Sequence, residues 1–249
     1  MNVTPDTPPS DSSASEPQGV TVGVAAFNET LSLEKMVREI AEVVPSAGYR
    51  YEITIVDDGS QDGTAELADR LAAINPAVAV IHHPINQGIG PTFHDAIRSG
   101  TMPFVTSFAG DGQFPASIIP QFMSLMKDVD LVLGYIPDLE KGRPPLLAFF
   151  SWAERLIVRT LFGSFPKFQG IMMIRRSWLN QITLTSKGRG WIIQMEVVLR
   201  ALRAGARIIS APTAIRPREY GKSRATTLRN ILSNVGQIIR LWWDLKFDR

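Results

Sequence analysis

Ile53-Thr54-Ile55-Val56 runs directly into Asp57-Asp58-Gly59-Ser60, and Asp62-Gly63-Thr64 then opens a helical pattern from Ala65 to Ile74. A short β-branched run that stops at two carboxylates and a turn, with a helix behind it, reads as a strand feeding the next helix. Asp-Gly and Ser supply a turn and an N-cap at little cost. Two adjacent carboxylates at a strand end can also accept the N–H and O–H groups of a base and a ribose. The string alone serves either purpose.

Outward from it the same alternation repeats. Val20 to Ala26 reads as a buried strand, and Leu33, Met36, Val37, Ile40, Val43 and Val44 recur at helical spacing behind it. The strand at Tyr51–Val56 and the helix at Ala65–Ile74 lead to a third strand at Val78–His82. Helix Pro91–Ser99, with proline placed at its first position, precedes strand Phe104–Phe108; helix Pro115–Lys127 precedes strand Asp130–Gly134. Strand-helix alternation of this kind predicts a mostly parallel central sheet with helices on both faces, an α/β fold that binds ligands beyond the carboxyl ends of its strands. Past Gly134 the order changes. An apolar and basic helix spans Leu146–Phe162, a strand Gly170–Ile174, a helix Trp191–Ala204 and a short strand Arg207–Ala211. Leu228 to Phe247 forms an amphipathic helix with Leu228, Ile231, Leu232, Val235, Ile238, Ile239, Trp242 and Leu245 in one stripe.

Composition narrows the function classes. The 249 residues suit one α/β domain, and the absence of cysteine excludes disulfides, thiolate metal sites and a cysteine nucleophile. Residues 1–19 are rich in Pro, Ser, Thr and Asp and read as a disordered tail, with the main domain at 20–227 and the amphipathic helix at 228–249. No basic stretch followed by an apolar core marks a signal peptide at this N-terminus, and no apolar run approaches the roughly 18–20 residues of a membrane span. Net charge is only +2, yet Arg200, Arg203, Arg207, Arg216, Arg218, Lys222, Arg224, Arg229 and Arg240 crowd the last third. Such a region suits an anionic partner.

Two further strand ends carry polar loops. Asn86-Gln87-Gly88-Ile89-Gly90-Pro91 follows the third strand; its glycines permit close backbone approach to a phosphate at a helix start, or simply form a tight loop. Neither the dinucleotide fingerprint nor a Walker-type Gly-Lys-Ser/Thr is present. Gly110-Asp111-Gly112-Gln113-Phe114-Pro115 follows the fourth strand, where a carboxylate and an amide two residues apart offer hard oxygens to Mg²⁺ or Mn²⁺, or turn the chain into a helix.

In order and spacing, Ala25-Ala26-Phe27-Asn28-Glu29, Asp57-Asp58-Gly59-Ser60, Asn86-x-Gly88 and Asp111-x-Gln113-x-Pro115 resemble the family 2 glycosyltransferases, whose fold is the GT-A type. Gln169-Gly170 with Arg175-Arg176, then Glu196, then Arg218-Glu219-Tyr220-Gly221-Lys222-Ser223-Arg224, resemble the branch that transfers mannose or glucose to polyprenyl (dolichyl-type) phosphate. The resemblance spans Val20 to Leu232. It implies a hexosyltransferase taking a GDP- or UDP-hexose donor and a polyprenyl-phosphate acceptor, with Mg²⁺ or Mn²⁺ as cofactor. Asn28, Glu29 and Asp57 then lie near the nucleotide, joined by Ala26, Asp58 and Gly88. Asp111 and Gln113 meet the metal and diphosphate. Arg218, Ser223 and Arg224 bind phosphate on the acceptor side, with Arg218 and Arg224 counted with Asp111 and Gln113 as catalytic. The chain departs from the family's usual residues at Ala25, Phe27, Arg224 and Pro166-Lys167, and has Ala109 where an acidic residue is common.

The implied reaction is a displacement at the anomeric carbon with the nucleoside diphosphate leaving. A lipid phosphate is already ionised and needs no general base, whereas a sugar hydroxyl does. His82, His83 and His94 read as structural, and Glu196 as either a base or the partner of an arginine. Trp242, Trp243, Arg229 and Arg240, with Trp152, Arg155 and Arg159 on the earlier helix, fit contact with an anionic bilayer, on the cytoplasmic face of a membrane, or simple packing. A nucleic-acid partner is not expected. Transfer to a saccharide hydroxyl and a catalytically silent nucleotide-sugar binder are the rival readings.

Overall fold

The fold, a computed structural model, is described for residues 18–137, 145–186, 191–217 and 228–247. Strand β1 (Gly19–Ala26) is buried along almost its whole length, as a parallel strand covered on both faces requires. Around it lie β2 (Arg50–Asp57), β3 (Val78–His82) and β4 (Phe104–Ala109), then β5 (Leu131–Tyr135), β6 (Met172–Arg175) and β7 (Ile208–Pro212). They form a seven-stranded sheet in the order β3-β2-β1-β4-β6-β5-β7. Only β6 is antiparallel to its neighbours, wedged between β4 and β5. The expected α/β architecture of the GT-A type is therefore present, with one reversed strand where the alternation lapses.

Side-chain alternation sends each strand's residues to two cores. On one face Val20, Val22 and Val24 meet α1 (Leu33–Ser46), α2 (Thr64–Ile74) and α4 (Ile118–Leu125). On the other, Val105, Leu131 and Leu133 meet α3 (Ile89–Arg98) and α7 (Ile192–Arg203). Helix α3 rides so close to β1 that a Cβ on Gly23 would lie 2.6 Å from that of Ala96. The remaining helices are α5 (Pro145–Phe162), the short α6 (Arg176–Leu179) and α8 (Leu228–Phe247).

Several boundaries shift for identifiable reasons. Both α3 and α4 carry proline as their third residue, Pro91 and Pro120. A missing N–H is harmless throughout the first turn, so α3 starts two residues earlier than the proline suggested. Helix α4 starts later than Pro115, because residues 115–117 form a turn closed by Ile118 N–H to Pro115 O at 3.2 Å. The first strand begins at Gly19, one residue inside the stretch read as tail.

Helices α5 and α8 pack on each other and on α7 through Val158, Ile192, Leu199, Ile238, Leu241 and Leu245. The stripe read from the sequence of α8 thus divides. Ile238 and Leu245 are buried, while Ile239 is half exposed on another face with Trp243 and Phe247.

Candidate functional site

Parallel register aligns the strand ends. Ala26 lies opposite Asp57, Asp57 opposite His82, and Ala25 opposite Ala109, so the loops after β1, β2, β3 and β4 leave the same sheet edge. Strand order reverses at β1, with β2 and β3 to one side and β4 to the other. A crevice at that point is where open α/β sheets bind ligands.

The loops after β1 and β2 are laced together. The Asn28 N–H donates to Ser60 Oγ at 2.9 Å and the Gln61 N–H returns to Asn28 Oδ1 at 2.9 Å. The Glu29 N–H donates to Thr64 Oγ1 at 2.9 Å, and Thr30 Oγ1 to Asp62 Oδ2 at 2.6 Å. Asn28 has φ 57, the only non-glycine residue with positive φ among those described. Asparagine tolerates that conformation, and such outliers gather at functional sites. Gly59 is required by crowding as well as by its φ of +71, since a Cβ there would come within 2.7 Å of the backbone at Ile85.

The adjacent carboxylates part ways. Asp58, 3% exposed, receives the Gln87 and Gly88 N–H groups, Asn86 Nδ2 and His83 Nδ1, each at 2.8 Å. The anion in the Asn86–Gly88 loop is therefore the chain's own. The Gln87 and Gly88 amides, expected near a phosphate, here donate to Asp58. His83 reaches on to Asp95 Oδ2 at 3.1 Å, tying β3 to α3. Asp57, also buried, accepts the Ser60 N–H at 3.2 Å and lies 3.3 Å from His82 Nδ1; His82 Nε2 is 3.0 Å from Asp69 Oδ1. Asp57, Ser60, Gln61, Glu66, Asp69 and His82 line an open cleft of about 450 Å³ beside the crevice. His82 holds its proton more tightly than an ordinary imidazole because of Asp69 and then Asp57. For His83, burial opposes the charge, but Asp58 and Asp95 outweigh it and raise the pKa. Each of the two histidines bridges two carboxylates.

Ala26 is buried, and its carbonyl accepts the Asp58 N–H at 2.8 Å. Glu29 accepts the Ser32 hydroxyl at 2.8 Å. On the β4 side the Gly110 N–H anchors to Ala25 O at 2.7 Å, and Asp111 Oδ1 accepts the Gln113 N–H at 3.1 Å. Asp111 and Gln113 are both partly exposed, with Gly112 between them at φ 70. Among the described residues no group of three or more His, Asp or Glu is placed to hold a metal. Asp111 and Gln113 carry hard oxygen donors of the kind Mg²⁺ and Mn²⁺ take, and by themselves are too few to cage such an ion.

Sequence reading missed Arg216 and Glu39. Arg216 grips the carboxylate of Glu39 through both terminal nitrogens at 2.8 Å, and its N–H donates to Gln113 O at 2.8 Å. Arg218, Ser223 and Arg224 lie outside the described residues. Glu196, completely buried, accepts Thr185 N–H and Oγ1, Ser186 N–H and Arg200 Nε within 2.9 Å, so it is an arginine partner and loop anchor, not an open base. Arg175 and Arg176 turn to the other end of the sheet: Arg175 Nε donates to Val129 O and Arg176 Nε to Met102 O.

A family model, glycosyl transferase family 2, matches residues 21–183. The undecaprenyl-phosphate mannosyltransferase of Micrococcus luteus is 27% identical over 210 residues, covering 81% of this chain and 85% of that protein. The polyprenol monophosphomannose synthase of Mycolicibacterium smegmatis is 26% identical over 225 residues, 83% of this chain and 81% of its own. Among solved structures, glucosyl-3-phosphoglycerate synthase from Mycobacterium tuberculosis, in complex with Mn²⁺, uridine-diphosphate and phosphoglyceric acid, has the same fold. Its TM-score is 0.66 at 14% identity over 90% of this chain and 78% of that one.

Proposed function

From the premise that the chain belongs to glycosyl transferase family 2 and is a glycosyltransferase, we propose that it moves a hexose from a GDP- or UDP-sugar to a polyprenyl phosphate. The observation that carries this reading is the crevice itself: the nucleotide-side loops and the Asp111–Gln113 loop leave one sheet edge across the reversal of strand order. The acceptor follows from relatives named for polyprenyl phosphate over more than four-fifths of their length. It is also supported by Glu196, whose oxygens are taken up by neighbouring donors, leaving a hydroxyl acceptor without that base.

In this reading Asn28, Glu29 and Asp57 line the nucleotide side, with Ala26 beneath them, and the buried Asp58 and Gly88 set the loop beside it. Asp111 and Gln113 orient the diphosphate, and Arg218, Ser223 and Arg224 serve the acceptor phosphate. Asp111 and Gln113 would hold a Mg²⁺ or Mn²⁺ ion, which when bound would neutralise charge on the departing diphosphate. Guanidinium groups match phosphate in paired hydrogen bonds, so Arg218 and Arg224 suit the meeting of an anionic acceptor with an anionic leaving group.

An acceptor embedded in a bilayer calls for contact with its surface. Phe149, Trp152 and Leu156 on α5, and Ile239, Trp243 and Phe247 on α8, are each about half exposed. No helix among the described residues is long and apolar enough to cross a membrane. Aromatic stripes with Arg240 and Lys246 nearby suit an interfacial position on an anionic cytoplasmic leaflet. A donor panel of GDP-mannose, UDP-glucose and UDP-N-acetylglucosamine, each with polyprenyl phosphate and Mn²⁺, tests the reading. A lipid-linked sugar from one donor is expected. Product on a saccharide hydroxyl alone, or no nucleotide release from any donor, overturns it.

A further inference from the structure

The Glu39 carboxylate binds three donors from two segments far apart in sequence: both terminal nitrogens of Arg216 at 2.8 Å and the Ala116 N–H at 3.0 Å. Arg216 also donates its own N–H to Gln113 O at 2.8 Å. The loop between β4 and α4 is thus held at Ala116 by the Glu39 carboxylate and at Gln113 by the Arg216 main-chain N–H, and the ion pair joins these two holds; its carboxylate comes from α1 and its arginine follows β7. The base of the same loop is fixed by Gly110 N–H to Ala25 O, and its interior by Gln113 N–H to Asp111 Oδ1. Further up the Arg216 segment, Thr213 N–H is held by Tyr135 O at 2.8 Å, so the arginine arrives on a tethered strand end. Arg216 holds the Glu39 carboxyl below the usual range, with the Ala116 N–H adding to its effect against burial.

We propose that Glu39 and Arg216 are positioning residues for the Asp111–Gln113 loop, and that their clasp sets how strongly the protein takes up a divalent cation together with a nucleoside diphosphate. The inference rests on the metal-side reading of Asp111 and Gln113 given above. With Ala109 in place of an acidic neighbour, one carboxylate and one amide offer little binding strength, so any ordering of the loop on binding subtracts from a small total. A loop already closed at both ends avoids that loss. Groups behind metal ligands typically alter metal affinity by about 10–100-fold when removed.

The test uses the full chain and measures Mn²⁺–GDP and Mn²⁺–UDP binding by water-proton relaxation, beside turnover and unliganded thermal midpoints. Arg216→Met and Glu39→Gln are expected to weaken Mn²⁺–nucleotide binding by about 10–100-fold. The Mn²⁺ needed for half-maximal turnover should rise, with kcat at saturating Mn²⁺ within a few-fold of wild type. Arg216→Lys, which keeps the charge but not the paired geometry, should fall between, and it carries the test if Arg216→Met does not fold. Asp111→Asn separates the two layers. If it loses Mn²⁺–nucleotide binding while all three clasp variants that fold remain within twofold of wild type, the clasp is structural only and the inference fails alone. If Asp111→Asn itself binds as wild type does, the metal-side reading fails and takes the inference with it.

Discussion

On the β2–β3 side of the crevice the strand-end carboxylates are met by the chain itself: Asp58 by two backbone amides, an asparagine and a histidine, Asp57 by Ser60 and His82. On the β4 side the restraints fall on the backbone of the Gly110–Ala116 loop, and Asp111 and Gln113 stay partly exposed. One half is a finished internal network. The other is a scaffolded loop with its oxygens at the surface. Nearly the same residue types are thus placed differently: buried carboxylates knit the β2 and β3 loops together, and Asp111 stays partly exposed.

The contrast breaks most readily at Asp58. Asp58→Ala strands His83 and the loop amides in a buried setting and is expected to cost about 3–5 kcal/mol of stability, a fall in thermal midpoint on the order of 10 °C. Melts of the unliganded protein check this, and a midpoint within about 2 °C of wild type would mean that the network carries little. Asp111→Asn should do the reverse, lowering turnover by about 10²-fold or more with the melt nearly unchanged. An equal loss of stability at both positions would erase the distinction between the two halves.

The smallest effect concerns pH. His83 and His82 have pKa values raised above 6.5 in the fold. The stability they contribute is fully present below the unfolded value, near 6.5, and is lost as pH rises through the raised folded value. The unliganded wild type should lose a few degrees of thermal midpoint across that window, and His83→Gln should flatten part of the slope. An unchanged slope in the variant would remove His83 from the account.

Strand-helix alternation, the four strand-end loops and the aligned edge were legible from Val20 to Gly134, because period and punctuation are local properties. What escaped was direction. Asp57 and Asp58 are neighbours, and only the register that sets β3 beside β2 decides which of them meets the Asn86–Gly88 amides. The adjacent pair His82-His83, at the end of the strand paired with Asp57, was the available hint. Glu39 and Arg216 stand 177 positions apart and carry no pattern that joins them. Arg98, similarly, donates to the carbonyls of Leu179 and Ile182 across more than 80 positions. The α8 stripe was read as a single face because hydropathy marks which residues are apolar, not which neighbour takes them.

The reversed strand β6 has a consequence for how the chain assembles. Strands β1 to β4 pair among themselves within residues 19–109, whereas β5 has β6 and β7 as its neighbours and neither is complete before Arg175 and Pro212. During synthesis the β1–β4 half can complete its own pairings once Ala109 has emerged, although Val20 must find Phe104 across a long stretch of chain. β5 emerges with both edges open, waits some forty residues for β6, as the outer edge of β4 also waits for that strand, and waits nearly eighty residues for β7. Long-range pairings of that kind are slow and leave edges exposed to mispairing. The β4 and β5 edges that await β6 are therefore where mispairing is expected to start, and variants that weaken β6 should lower yield before they touch the crevice.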